Sequence, residues 1–191
     1  LAGCGSSSSD SSAGSSQTTL VTASSTGPAA SDSADASFND ADVAFAQNMI
    51  SHHQQAIEMA SLALDPASGA SSEVADLAQR INAAQDPEVS MMSGWLEHWH
   101  QPMTMDSAAG HDMGSMHSAE GMMSNEDMDQ LMQLSGVEFD RAWLQGMLEH
   151  HQGAITMAEQ IKDEGDNPDV LALADQVITT QQAEVDEMTS L

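Results

Sequence analysis

The sequence contains very few basic residues. Arg80, Arg141 and Lys162 stand against 30 acidic residues, which gives a formal net charge of -27 at neutral pH. A chain with this charge repels nucleic acid and anionic membrane surfaces, and it attracts cations. An adaptation of the surface for solubility, for example in high salt, explains the charge equally well. A nucleic-acid partner is therefore not expected, and a cationic partner stays open.

Cysteine occurs once, as Cys4, which excludes an internal disulfide and a metal cage of thiolates. The residues Leu1-Ala2-Gly3-Cys4 resemble the lipobox of bacterial lipoproteins, in which the signal peptidase cuts before a cysteine that then carries lipid. The chain begins with Leu, as expected if a signal peptide has been removed. We therefore expect an exported protein, lipid-anchored through Cys4 to the bacterial cell membrane and facing the extracytoplasmic side. The alternative is a chance match, with Cys4 an ordinary exposed thiol.

Long apolar runs are also lacking: no run of 18 apolar residues exists that could span a bilayer. Residues 5–37 are mostly Ser, Ala, Thr, Gly and Asp, with Leu20 and Val21 as their only large aliphatic residues. Such a segment cannot bury enough apolar surface to offset its loss of conformational entropy. The sequence thus predicts a disordered tether over residues 1–37 and one folded domain over residues 38–191.

The spacing of apolar residues predicts four long helices in the folded domain. We place them at Phe38–Leu64, Ser72–His100, Val137–Lys162 and Pro168–Leu191, with a short helix from a Ser124 cap to about Leu134. Asp65-Pro66 ends the first helix, and Asn167-Pro168 begins the last. Pro87 lies inside the second pattern. We expect it to kink one continuous helix rather than to begin a new one, because the periodicity continues through it.

The chain contains the same segment twice. Asp42–Ala60 and Asp140–Ala158 are identical at 11 of 19 positions, and both carry a histidine pair, His52-His53 and His150-His151. The second helices repeat as well, since Leu77–Met92 aligns with Leu173–Met188. Each half is therefore a helical hairpin. Two such hairpins predict an all-α, antiparallel four-helix bundle with a pseudo-two-fold axis.

Both histidine pairs are predicted to be buried. At about 100° per residue, His52 and His53 lie on either side of the centre of the apolar face, as do His150 and His151. A buried imidazole must find partners for two nitrogens, and four at one depth are costly without a common reason. A metal ion bound by neutral imidazoles supplies that reason. The alternative is that each is an ordinary hydrogen-bonded histidine of the core.

The residues around the histidines indicate a soft metal. The chain has 15 methionines, and Met49, Met147, Met59 and Met157 lie one or two turns from the pairs. Thioether sulfur together with imidazole selects Cu(I), with Ag(I) as a mimic, and Cu(II) is also compatible with the histidines. We predict that these four methionines and the four histidines form one site or two. Further candidate ligands are Asp42, Asp140, Met92, Met188, His98 and His100. Alternatively, methionines such as Met92, Met188 and Met132 simply fill gaps in a core with few aromatic residues.

The stretch between the two halves, Met103–Met123, is rich in Gly, Ser, Met and His and shows no helical period. Its soft side chains are Met103, Met105, His111, Met113, Met116, His117, Met122 and Met123. Burial does not easily explain methionines in a loop of this composition. We predict that this segment captures copper and loads the core.

The repeated segment resembles the DUF305 family, whose hallmark is Met-x-x-His-His-x-x-Ala-Ile-x-Met-Ala. This motif stands at Met49–Ala60 and again at Met147–Ala158. The family's Gln-x-x-Glu-hydrophobic-x-x-Met pattern is matched at Gln85–Met92 and Gln181–Met188, and the resemblance covers about Phe38–Leu191. It implies a ferritin-like four-helix bundle that is exported and linked to copper binding and resistance. It also points to the histidine pairs and their methionines as the ligands.

We expect a surface-anchored protein that sequesters or buffers Cu(I), or passes it to a copper-transfer protein, rather than an enzyme. The alternative is a ferritin-like di-iron or di-manganese oxidase, which needs Glu from two helices and Glu-x-x-His from the other two. The sequence has one Glu-x-x-His, Glu97–His100, at a helix end. A third hypothesis is an interaction module whose histidines serve packing alone. Copper binding is expected to weaken below about pH 6, because protonated imidazole cannot ligate.

Overall fold

A computed structural model describes residues 36–104 and 121–191 of the chain. Within these ranges it contains α1 Asp40–Leu64, α2 Ser72–His98, α3 Asn125–Leu131, α4 Val137–Glu164 and α5 Pro168–Ser190, with a 3-10 turn at Pro66–Ser68 and no strand. The predicted all-α class is confirmed, and the four long helices lie close to their predicted bounds. Helix α3 ends at Leu131, earlier than predicted. Cys4 and five candidate ligands lie outside the described residues, namely Met105, His111, Met113, Met116 and His117.

Polar residues set where the helices begin. Asn39 caps α1 by accepting from the amides of Ala41 and Asp42, and the Asp42 carboxylate in turn accepts from the Asn39 amide. Such a capping box satisfies amides that the first turn of a helix cannot pair internally. Ser124 caps α3 and Asn167 caps α5, as predicted. Helix α2 continues through Pro87, as the periodicity predicted.

The four long helices form two hairpins, α1 with α2 and α4 with α5, which pack together through α1 and α4. Trp143 on α4 donates from its indole nitrogen to the carbonyl of Met59 on α1 at 2.8 Å. His52 of α1 also contacts His150 of α4. Since residues late in α1 meet residues early in α4, these two helices are antiparallel. The predicted four-helix bundle of two repeated hairpins is confirmed.

Two aspartates at equivalent positions of the repeat tie the hairpins together. Asp42 on α1 accepts from the amides of Asp166 and Asn167, where α5 begins. Asp140 on α4 accepts from the amide of Ser71, the cap of α2, at 3.1 Å. Each carboxylate therefore binds the start of a helix in the other hairpin, where the helix dipole also favours a negative charge. These bonds help to set how far the hairpins overlap.

Two apolar clusters fill the interior. One contains Met49, Met92 and Met157, and the other contains Met59, Met147 and Met188. The described part of the chain includes no helix that is long and apolar enough to cross a membrane.

Candidate metal centre

The histidine pairs meet where α1 and α4 pack against each other. The rings of His52 and His150 have their centroids 3.7 Å apart and are tilted by 40°. All four paired histidines are buried, with at most 1% of each residue exposed. This contact joins two positions that are equivalent in the repeat, so it lies close to the pseudo-two-fold axis. The fold therefore brings both copies of the motif to one place.

His150 is the most unusual of the four. Both of its ring nitrogens are buried, and neither makes a hydrogen bond of normal length and angle within the described residues. Burial lowers the pKa of His150 well below its usual value, and the neighbouring imidazoles of His52, His151 and His53 lower that pKa further. The backbone of His52 is near enough to raise the pKa of His150, but this is the smallest of the effects on it. The ring is therefore neutral at physiological pH and carries a lone pair. An unpaired polar group in a protein interior is costly, and a metal ion is a partner that removes this cost.

His53 and His151 are held by carboxylates. His53 Nε2 lies 2.8 Å from Glu88 Oε2 on α2, and His151 Nε2 lies 2.8 Å from Glu184 Oε2 on α5. A carboxylate accepts, so Nε2–H is the donor in each pair, and the tautomer that carries its one proton on Nε2 has its lone pair on Nδ1. Neither Nδ1 has a hydrogen-bond partner within the described ranges. A ligand histidine anchored on its far nitrogen in this way is a common arrangement in metal sites.

Glu88 and Glu184 were not among the residues predicted for the site from the sequence. Their signal was present, because they occupy equivalent positions of the repeat, three residues after Gln85 and Gln181. Glu88 also accepts from the side chain of Gln176 at 2.8 Å, so both of its oxygens are bonded. Sequence spacing could not show that these glutamates reach the histidines, since each pair joins two different helices.

The four predicted methionine ligands are buried and are divided between the two apolar clusters. Met49 and Met157 belong to one apolar cluster, and Met59 and Met147 belong to the other. Each cluster therefore receives one methionine from each copy of the motif. The two copies of the motif thus contribute in the same way to both clusters.

The remaining candidates among the described residues differ in burial, and Met122, Met123 and Asp140 are half-buried. Met92 and Met188 are buried, one in each apolar cluster. His98 and His100 are exposed at the end of α2, and Met103 is exposed just beyond it. Asp42 and Asp140 bind backbone amides at helix starts, as described above. Because those amides engage the aspartates, we leave both out of the ligand set proposed below.

Within residues 36–104 and 121–191, no group of three or more His, Cys, Asp or Glu side chains is arranged to hold a metal ion. This result is consistent with the pairing of His53 and His151 with glutamates. Each carboxylate is hydrogen-bonded to the Nε2 of its histidine, on the opposite side of the ring from the Nδ1 that could bind a metal. A site built on these histidines would therefore need sulfur donors. The predicted donors of this kind are Met49, Met59, Met147 and Met157, which are buried in the two apolar clusters.

The chain belongs to the DUF305 family, a domain of unknown function, whose model matches residues 42–191. It is 40% identical over 52 residues to a protein of Acanthamoeba polyphaga mimivirus, and this match covers 27% of the chain and 34% of that protein. The chain thus spans about a third of that curated relative.

Several solved structures share the fold, and two of them are DUF305 proteins. A DUF305 protein from Streptomyces coelicolor that is described as secreted has a TM-score of 0.68 and 31% identity, covering 78% of this chain and 89% of that one. A DUF305 fragment from Deinococcus radiodurans has a TM-score of 0.68 and 30% identity, covering 80% of this chain and 95% of the fragment. CopM in its Cu(I)-bound form has a TM-score of 0.62 and 29% identity, covering 78% and 93%. CopM has also been solved with Cu(II) and with Ag.

Proposed function

We propose that this protein binds copper, with Cu(I) favoured, in the interior of its four-helix bundle. The proposed ligands are His52, His53, His150 and His151 with Met49, Met147, Met59 and Met157. The observation that carries the proposal is the buried, neutral imidazole of His150, which makes no hydrogen bond of normal length and angle within the described ranges and lies against His52. Imidazole and thioether together form a soft ligand set, which suits Cu(I) better than Zn, Mg or Mn.

The comparison with CopM supports the choice of metal. CopM is about as long as the described part of this chain and has been solved with Cu(I), Cu(II) and Ag. Silver(I) is a chemical mimic of Cu(I), so binding of both is typical of soft sulfur and nitrogen donors. The shared fold, at 29% identity and a TM-score of 0.62, extends this argument to the present chain.

The biological role that we propose is to sequester or buffer copper outside the cytoplasm, or to pass it to a copper-transfer protein. The net charge of -27 draws cations towards the protein. Export is supported by the similarity to a DUF305 protein that is described as secreted. A lipid anchor on Cys4 would hold the protein at the cell membrane, and the Met/His stretch before α3 would load the core.

The bundle offers little support for the alternative of a di-metal oxidase. Such enzymes gather several glutamates and histidines around two ions. Here Glu88 and Glu184 are each bonded to the far nitrogen of a histidine, and Glu97 and His100 are exposed at the end of α2. Binding without catalysis is therefore the function we propose.

Titration of the apo protein with Cu(I), in competition with a chromophoric chelator, tests the function directly. We expect tight binding, and we expect X-ray absorption at the copper edge to show both nitrogen and sulfur neighbours. A shell of nitrogen alone would remove the methionines from the ligand set. An absence of binding to a chain that lacks the Met/His stretch would refute a site in the core.

Glu88→Gln is expected to lower the affinity for Cu(I) by about 10- to 100-fold, the usual effect of altering a group behind a ligand histidine. The glutamine side chain still offers an oxygen that accepts from His53. The substitution removes the negative charge, which makes the imidazole a stronger metal ligand and balances the charge of the bound ion. The matched control is Glu97→Gln, which removes the same charge from an exposed position of α2. Reduced stability with unchanged copper affinity would give Glu88 a structural role alone.

A further inference from the structure

The residues that end the Met/His stretch are held firmly against the bundle. Gln55 on α1 binds both backbone groups of Met123: its amide nitrogen donates to the Met123 carbonyl at 2.9 Å, and its amide oxygen accepts from the Met123 N–H at 2.8 Å. A side-chain amide that uses its donor and its acceptor on one residue fixes the position of that residue's backbone. Gln55 therefore sets where Met123 lies.

Two glycines of α4, Gly146 and Gly153, make room for this segment. Within the segment, Gly121 has a φ of 74°, and a Cβ on it would overlap the carbonyl oxygen of Glu149 and stand 3.1 Å from the Cα of Gly153. A Cβ on Gly146 would stand 2.8 Å from the Sδ of Met123. The backbone at Gly121 and the thioether of Met123 thus occupy space that side chains on α4 would otherwise fill.

The repeat loses its symmetry at these positions. The residues of α1 that correspond to Gly146 and Gly153 are Asn48 and Gln55. Asn48 is largely buried, and neither it nor Gln55 leaves the space that a glycine leaves. The space over Gly146 and Gly153 that receives this segment is therefore a feature of the second copy of the motif.

We propose that Met123 is a copper ligand at the edge of the histidine centre, through which Cu(I) moves from the Met/His stretch to the core. This inference rests on the proposed function. The methyl carbon of Met59 also lies 3.4 Å from the Cβ position on Gly146, so two thioethers converge there. His150 lies one helical turn after Gly146 on α4, and the Cβ positions of residues one turn apart are about 5–6 Å from each other. Helical side chains lean towards the N terminus, so the His150 ring leans towards the same point.

The surface beside Met123 suits the arrival of a cation. A cleft of about 430 Å³ is lined by Met122, Met123, Asp127 and Glu149. Its two carboxylates attract positive ions, and its two thioethers select soft ones. A methionine that merely anchors a loop could be replaced by leucine, which has a similar volume. A ligand could not.

The test compares two variants of the full chain that affect Met123 differently. Met123→Leu removes the sulfur and keeps the volume, whereas Gly146→Ala keeps every sulfur and displaces that of Met123. Alanine is also a better helix former than glycine, so α4 should not suffer. Met132→Leu is the control, since Met132 is 54% exposed. We expect both variants, but not the control, to slow the loading of Cu(I) from a chelator about 10-fold, as for other changes near metal ligands.

A second measurement distinguishes a ligand from an anchor. In protein labelled with ¹³C at its methionine methyl groups, the Met123 signal, identified by its loss in Met123→Leu, should shift early in a titration with Ag(I). Wild-type loading rates in both variants, with an unmoved Met123 signal and Cu(I) still bound, would overturn this inference and leave the proposed function intact. Failure of the wild-type chain to bind Cu(I) would overturn both. Urea unfolding of each variant shows whether slower loading reflects a damaged fold.

Discussion

Replacing His150 by alanine is expected to lower the affinity of the core for Cu(I) by at least about 100-fold, the upper end of what changes behind a metal ligand cost. His150 lies against His52 at the junction of the two copies of the motif, so its loss removes a donor that both halves share. The fold should survive. Removing the ring leaves a cavity, but it also removes two buried nitrogens that make no hydrogen bond of normal length and angle among the described residues.

The measurement is a competition titration of each purified variant, with circular dichroism to verify helicity. Gln152→Ala is the matched control, because Gln152 lies two residues further along α4 and is exposed. It should bind Cu(I) like the wild type. If the double variant His52→Ala with His150→Ala kept wild-type affinity, the histidines would serve packing alone, and the interaction-module hypothesis would replace the copper site.

The apo protein is expected to lose stability as the pH falls below about 6.5, the pKa of a histidine in an unfolded chain. Burial lowers the pKa of His150 in the folded state well below that value, and the neighbouring imidazoles lower it further. Between the two pKa values, the unfolded state binds a proton that the folded state does not. The free energy of unfolding therefore falls with pH by about 1.4 kcal/mol per pH unit for this one group.

Urea unfolding of the apo protein at several values between about pH 7 and pH 5 measures this slope. In His150→Gln the fall should be shallower by the contribution of one proton. Gln152→Ala, which changes an exposed residue of α4 that does not titrate, should leave the slope as it is in the wild type. Stability that stays constant or rises over this interval in the wild type would contradict the buried, neutral state of His150.

The same pKa shift changes an expectation drawn from the sequence. An ordinary imidazole would lose copper below about pH 6. Since burial keeps His150 neutral to a lower pH, protons displace copper from this ring only at a pH below the one expected from the sequence. In the competition titration with the chelator, copper should accordingly be lost at a lower pH than from a free histidine.

Local features of the chain were sufficient to predict the helices. Asn167-Pro168 marks the start of α5, and Asp65-Pro66 marks the end of α1, because caps and prolines act on neighbouring residues. Pro87 was interpreted correctly as part of a continuous α2, since the apolar period on both sides of it is in phase. The end of α3 was predicted too late: Met132, at the C-cap, is exposed, and the residues that follow leave the helix before Gly136.

The sequence by itself determined the repeat, the two hairpins and the placing of each histidine pair on a buried face, because helical periodicity depends on residues a few positions apart. Only the tertiary structure decided that His52 meets His150, that Glu88 and Glu184 hold the other two rings, and that Gln55 seats Met123 over Gly146. The nearest pair in sequence among these contacts, Met123 and Gly146, is still 23 positions apart. The register that creates them comes from how helix surfaces pack and from cross-links such as Asp42 to Asn167, which no local pattern encodes.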